Sequence, residues 1–200
     1  MHLATPAMAT AQPHRRPVFL AAGGGWTHAS ACCSGHDAAD VMLGAGVSLG
    51  PRLEIMAVGD LQVGPRTTST ARWELYEPRQ HATGVASTRT AVVSGLLAWS
   101  SCLHGPARLF VSAGAAVTFQ SERFETTLQD VDAAGAVVGV SEASSARMIA
   151  GPKLVFGAGV RIRMTRILSI VPELRVFWIG PFAENGAPTT LLGVRLRWSS

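Results

Sequence analysis

The chain has 200 residues, 48% of them hydrophobic and 15% charged, with a mean hydropathy of +0.26 and a formal charge of +4. A transmembrane helix is excluded, because no window holds the roughly 18 uninterrupted apolar residues that a helical span needs; the longest candidate, 91–103, is broken by Ser94, Ser100 and Ser101. Nucleic acid is excluded as a partner, because the 17 Lys and Arg residues are scattered singly instead of forming a block or stripe, and only Lys153 among them is a lysine.

High hydropathy without a helical span points to strands. In a bilayer every backbone N–H and C=O must be satisfied internally, and without helices only a closed barrel does this. The first 16 residues read as a remnant signal peptide or a disordered tail: they lack an apolar core, but Ala9-Thr10-Ala11 before Gln12 has the small-residue pattern of a cleavage site.

From residue 17 onward the sequence alternates with period 2, which places successive side chains on opposite faces of a strand. The first predicted strand, 17–27, puts Val18, Leu20, Ala22, Gly24 and Trp26 on one face; the second, 40–49, puts Val41, Leu43, Ala45, Val47 and Leu49 there. The third, 52–63, is the clearest, with Leu53, Ile55, Ala57, Leu61 and Val63 set against Arg52, Glu54, Met56, Val58, Asp60 and Gln62. The fourth, 90–100, carries Val93, Leu97 and Trp99 on its apolar face, and the fifth, 108–122, carries Leu109, Val111, Val117 and Phe119. The sixth, 153–163, sets Leu154, Phe156, Val160 and Ile162 against Lys153, Arg161 and Arg163. The seventh, 168–178, sets Leu168, Ile170, Leu174, Val176 and Trp178 against Glu173 and Arg175, and the eighth, 192–198, sets Leu192, Val194, Leu196 and Trp198 against Arg195 and Arg197.

Tight turns at Gly50-Pro51, 103–106 and 165–166 alternate with longer connections at about 28–39, 64–89, 124–146 and 180–188. Short turns at one end and long loops at the other is the arrangement of membrane barrels. The expectation is therefore an all-β, eight-stranded antiparallel up-and-down transmembrane barrel over residues 17–198. With the N-terminus on the turn side, Trp26, Phe119 and Trp178 fall near one rim and Trp99 and Trp198 near the other, an aromatic girdle of amphipathic rings at the two interfaces.

The strand count, Gly44-Ala45-Gly46-Val47, Gly157-Ala158-Gly159-Val160, the strand Pro172-Glu173-Leu174-Arg175 and the apolar last strand with Trp198 together resemble the OmpA/OmpX-type family of eight-stranded outer-membrane β-barrels, over about residues 17–198. The chain departs from that family in the two residues, Ser199 and Ser200, that follow the final aromatic. The resemblance implies a place in the bacterial cell outer membrane, with outer-membrane lipid and lipopolysaccharide as surroundings.

An inward polar face predicts a lumen charge network centred on Glu54 and Glu173, with Arg161, Arg175 and Arg195 as partners, because unpaired charge in a poorly hydrated interior is costly. Arg52, Arg108, Arg163 and Arg197 are expected at the turn-side mouth, facing water or phosphate groups. An eight-stranded interior barely holds its own side chains, so a plugged lumen is expected.

The function expected first is structural or surface interaction, by a monomer that offers exposed loops to an extracellular ligand. A small-ligand-binding or narrow-conduit barrel, including a soluble lipocalin-like one, is the alternative, and an outer-membrane lipid-modifying enzyme comes third. No cofactor, metal site or catalytic residue is assigned. His28, Cys32, Cys33, His36 and Asp37 match no established metal spacing. His81 could be paired with Glu74, Glu77 or Ser87 as base and partner, and Trp73, Leu75 and Tyr76 could form a contact surface, but loop residues of these kinds are more often simply solvated. The segment 125–145 is expected to protrude as a hairpin around Ala134-Gly135.

Overall fold

The computed structural model describes residues 17–29, 36–73, 79–101, 106–178 and 188–200. The described strands are β1 (Val18–Ala29), β2 (His36–Ser48), β3 (Leu53–Val63), β4 (Thr67–Trp73), β5 (Arg79–Ser100), β6 (Ala107–Val131), β7 (Val137–Arg163), β8 (Leu168–Trp178) and β9 (Thr189–Ser199). Every pairing is antiparallel. Eight of these strands close a ring: β3 passes its pairing directly to β5, and β1 pairs with β9. Closure leaves no unpaired ladder edge within the ring.

The ninth strand, β4, pairs only with the first part of β5 and stands outside the ring. This corrects the expectation of a loop over 64–89. The strands predicted at 90–100, 108–122 and 153–163 are likewise the ring portions of much longer strands, of 22, 25 and 27 residues. At about 3.3 Å per residue, 25 residues reach roughly 80 Å, far beyond an apolar band of about 25 Å. The β4–β7 sheet therefore projects past the ring on the loop side. Asp132 to Ala136 closes the β6–β7 hairpin, with Gly135 at a φ of 85° and Asp132 Oδ1 accepting from the Ala134 and Ala136 amides at 2.9 and 2.8 Å. The hairpin turn falls on the predicted Ala134-Gly135. On the turn side, Leu49 N donates to Leu53 O at 2.8 Å, and Thr165 Oγ1 accepts from Leu168 N at 3.0 Å.

The faces are oriented as the alternation requires. Leu53, Ile55, Val111 and Leu196 point outward, whereas Glu54, Asp60, Glu173 and Arg195 are buried in the middle. Apolar residues also fill the lumen: Phe19, Met42, Met56, Val58, Val92, Leu96, Val155, Phe177 and Leu191 form one buried cluster.

Two buried rings, Phe19 of the cluster and Phe110, rest on glycine. Phe19 lies directly across from Gly46 on β2, and Phe110 across from Gly159 on β7. A Cβ at Gly46 would lie 2.3 Å from Phe19 Cζ, and one at Gly159 would lie 2.7 Å from Phe110 Cε1. Glycine thus makes the space in which each ring lies flat against the wall. We expect Gly46→Val to lower stability by roughly 1–3 kcal/mol through overpacking, read as a lower urea midpoint in detergent micelles. Gly95→Val, where a Cβ meets nothing within 4 Å, is the control; equal midpoints for the two variants would contradict the seating of the Phe19 ring.

Candidate functional site

The polar positions of β3, β7, β8 and β9 converge inside the ring in two linked groups of ionised side chains. On the turn side, Glu54 of β3 accepts from two guanidinium groups at once. Arg161 of β7 donates Nη1 to Oε1 at 3.0 Å and Nη2 to Oε2 at 2.5 Å; Arg197 of β9 donates Nη1 to Oε2 at 2.6 Å and Nη2 to Oε1 at 2.8 Å. Ser48 Oγ donates to the same carboxylate at 3.2 Å.

Deeper in the ring, Arg175 of β8 donates Nη1 and Nη2 to the two Asp60 oxygens at 2.9 and 2.8 Å. Its Nε lies 3.2 Å from Glu173 Oε1, an ion pair whose angles do not make a hydrogen bond. Arg195 Nη2 donates to the other Glu173 oxygen. Two thioethers complete the shell, Met42 Sδ at 3.1 Å from Arg175 Nη2 and Met56 Sδ at 3.3 Å from Arg195 Nη1.

The span of these contacts follows from strand order. In the closed ring β8 lies four strands from β3 in either direction, so the Arg175–Asp60 pair joins diametrically opposite walls. Both side chains are 0% exposed. The bidentate fork of arginine suits such a buried carboxylate, which a lysine could meet only as a point charge.

The glycine-seated rings support the arginines from below. Arg197 stacks on Phe19 with its Cζ 3.6 Å from the ring centroid, and Arg195 lies 6.0 Å from the centroid of Phe110. Each forms a chain of dependence from a glycine to a flat ring, from the ring to a guanidinium, and from the guanidinium to a carboxylate.

The structure thus brings all five predicted lumen residues, Glu54, Glu173, Arg161, Arg175 and Arg195, into ion pairs. Two participants were not assigned to that network. Asp60 takes the most enclosed arginine, and Arg197, expected at the mouth facing water or phosphate, is buried on Glu54. Asp60 has the same inward parity as Glu54, but only the cross-lumen geometry selects its partner. Asp40 is buried with neither carboxylate oxygen hydrogen-bonded.

A cavity of about 380 Å³ opens at the turn side, lined by Glu54 and five arginines, and one of about 370 Å³ opens at the loop side, lined by Thr27, Gln62, Thr88, Gln120, Glu122 and Lys153 among others. The ion pairs of Asp60, Glu173, Arg175 and Arg195 and the apolar cluster lie between them. The aromatics Trp26, Trp99, Phe119, Trp178 and Trp198 all stand on the outer face, each between 42% and 54% exposed.

Among the described residues, the other candidates do not assemble. Cys32 and Cys33, with Glu74, Leu75, Tyr76 and Glu77, lie outside the described residues, as do residues 1–16. His28 Nδ1 lies 2.7 Å from Asp37 Oδ1, and this hydrogen bond holds the exposed Asp37 carboxyl below its usual value. His81 faces Arg72 and Gln129 on neighbouring strands. Ser87 stands six positions further along β5, about 20 Å of strand, so the two cannot act as a base and nucleophile.

No protein-family model matches the sequence, and no curated protein matches it. Solved structures do match the fold. Neisserial surface protein A (NspA) superposes with a TM-score of 0.61 at 12% identity, over 90% of this chain and 96% of that one. Ail, the attachment invasion locus protein of Yersinia pestis, gives 0.52 at 10% identity, over 92% and 99%. The outer membrane protein OprG from Pseudomonas aeruginosa gives 0.50 at 12% identity, over 92% and 97%. With its antiparallel ring of eight strands, apolar outside and ionised inside, this chain has the fold of the small OmpA/OmpX-type outer-membrane β-barrels.

Proposed function

We propose that this chain is a small bacterial outer-membrane protein with a sealed lumen, whose rigid wall carries the β4–β7 sheet into the exterior as an interaction surface. The turn side faces the periplasm, and the outward aromatics anchor the band at both interfaces. The observation that carries the proposal is the Arg175–Asp60 pair, which crosses the full width of the ring. A conduit would need that cross-brace to part, leaving the Asp60 carboxylate uncompensated in a dry interior.

Display is supported by the projecting sheet. On one edge 137–153 pairs with β6, but among the described residues no strand pairs with the other edge of β7 before Leu154, so 137–153 offers a long ladder edge there, and Val137, Val138, Val140 and Met148 are exposed along this segment. An extended peptide can add to such an edge through main-chain hydrogen bonds. The role proposed is non-enzymatic, in keeping with the separation of His81 from Ser87.

Planar-bilayer recording on the purified, folded protein tests the sealed lumen, and we expect no steady channel. A stable open current would replace this reading with the conduit. Fractionation, with gel migration before and after boiling, tests membrane residence, since a folded membrane barrel changes mobility on heating; recovery in the soluble fraction would refute it.

A further inference from the structure

The turn-side cavity holds more positive charge than its own carboxylate can balance. Five arginines line it, Arg108, Arg161, Arg163, Arg166 and Arg197, with Glu54 as the acidic side chain among its described lining residues. Arg161 and Arg197 already share Glu54. Among the described residues, no carboxylate lies within ion-pair distance of Arg108, Arg163 or Arg166.

Strand register concentrates the excess. Arg108 of β6 sits directly across from Arg161 of β7, and Arg163 follows two residues later on the same face. Like charges directly opposite one another are unfavourable on a sheet, and the Arg161 Nε is buried with no hydrogen-bond partner. An anion between these strands would relieve both. Residues 1–16, which join the chain beside this cavity at Pro17, contain Arg15 and Arg16 and no Asp or Glu, so they are poorly suited to supply it.

The same rim carries an apolar groove on its outer face. Val18, Leu20, Ile167 and Trp198 line an open groove of about 460 Å³, and the groove shares Ile167, Ser199 and Ser200 with the basic cavity. Phosphate-binding cations on one side of a strand-end rim and acyl-compatible surface on the other match the two halves of one amphiphile.

We propose that the turn-side rim binds an anionic phospholipid, with its phosphate headgroup among Arg108, Arg163 and Arg166 and an acyl chain along Val18, Leu20, Ile167 and Trp198. This rests on the membrane-barrel reading above. The site would tether the barrel to the lipid of the periplasmic leaflet and neutralise the unbalanced arginines of the mouth.

The test is native mass spectrometry of the full chain in detergent micelles, titrated with phosphatidylglycerol, phosphatidylcholine or glycerol 3-phosphate. Phosphatidylglycerol is expected to be retained in preference to phosphatidylcholine. Arg163→Gln with Arg166→Gln should weaken that retention on the order of tenfold to thirtyfold, whereas Arg72→Gln with Arg79→Gln, which removes the same charge on the projecting sheet, should not. Ile167→Ser should weaken retention of the lipid and leave glycerol 3-phosphate unaffected. Equal losses in the two double variants would overturn the site in favour of diffuse attraction to a basic protein. Glycerol 3-phosphate binding as tightly as the lipid, with no effect of Ile167→Ser, would overturn the lipid in favour of a free phosphate. Folding into neutral phosphatidylcholine vesicles, checked by the mobility shift on heating, is measured separately; a barrel that folds there and shows no anionic preference sinks this inference alone.

Discussion

Replacing Arg175 with leucine is expected to cost about 3–5 kcal/mol of stability, because it strands the Asp60 carboxylate in the dry centre of the ring and takes one of two partners from Glu173. Asp60 would lose both of its hydrogen bonds, and Glu173 would keep only Arg195. The loss should appear as a large drop in the urea midpoint of the folded protein in micelles. The triple change Arg175→Leu, Asp60→Asn and Glu173→Gln should recover much of it, since removing a buried pair entirely is far less harmful than breaking it. The partner Arg195 would then face a neutral amide, so recovery is expected to be incomplete. A small loss in the single variant, or no recovery in the triple one, would mean that water reaches this layer and that the brace does not seal the lumen.

The second large effect concerns the outer face. Val194 lies midway along β9 and is half exposed, four residues from Trp198. If acyl chains cover that face, Val194→Arg should cost about 2–4 kcal/mol, whereas Leu20→Arg, placed directly across from Trp198 at the rim, should cost about 0–1 kcal/mol. The pair of variants reads depth within a bilayer, because both introduce the same charge at comparably exposed positions. Refolding into phosphatidylcholine vesicles followed by urea titration gives the two values. Equal and small costs would indicate that water covers this face and would remove the membrane from the account.

These expectations rest on features of unequal legibility. Which residues face inward could be read along the chain, since parity on a strand is a local property: Glu54, Asp60, Glu173, Arg175 and Arg195 all occupy polar positions of alternating segments. The projecting strands were hidden for the same reason. Above an apolar band both faces of a sheet meet water, so Thr67–Trp73 and the first half of β5 show no apolar alternation and resemble a loop. The Phe19–Gly46 and Phe110–Gly159 seats left only the glycines visible, because the ring that covers each belongs to another strand.

By itself, the amino-acid sequence determined the barrel, its strand parity, the sign of each face and the side on which the tight turns lie, since all of these follow from period-2 alternation and local turn chemistry. Only the tertiary structure decided that Arg175 reaches Asp60 across the whole ring and that Arg197 turns inward onto Glu54. Closure and stagger set which heights on opposite walls coincide, and these are properties of the ring as a whole that no single strand encodes.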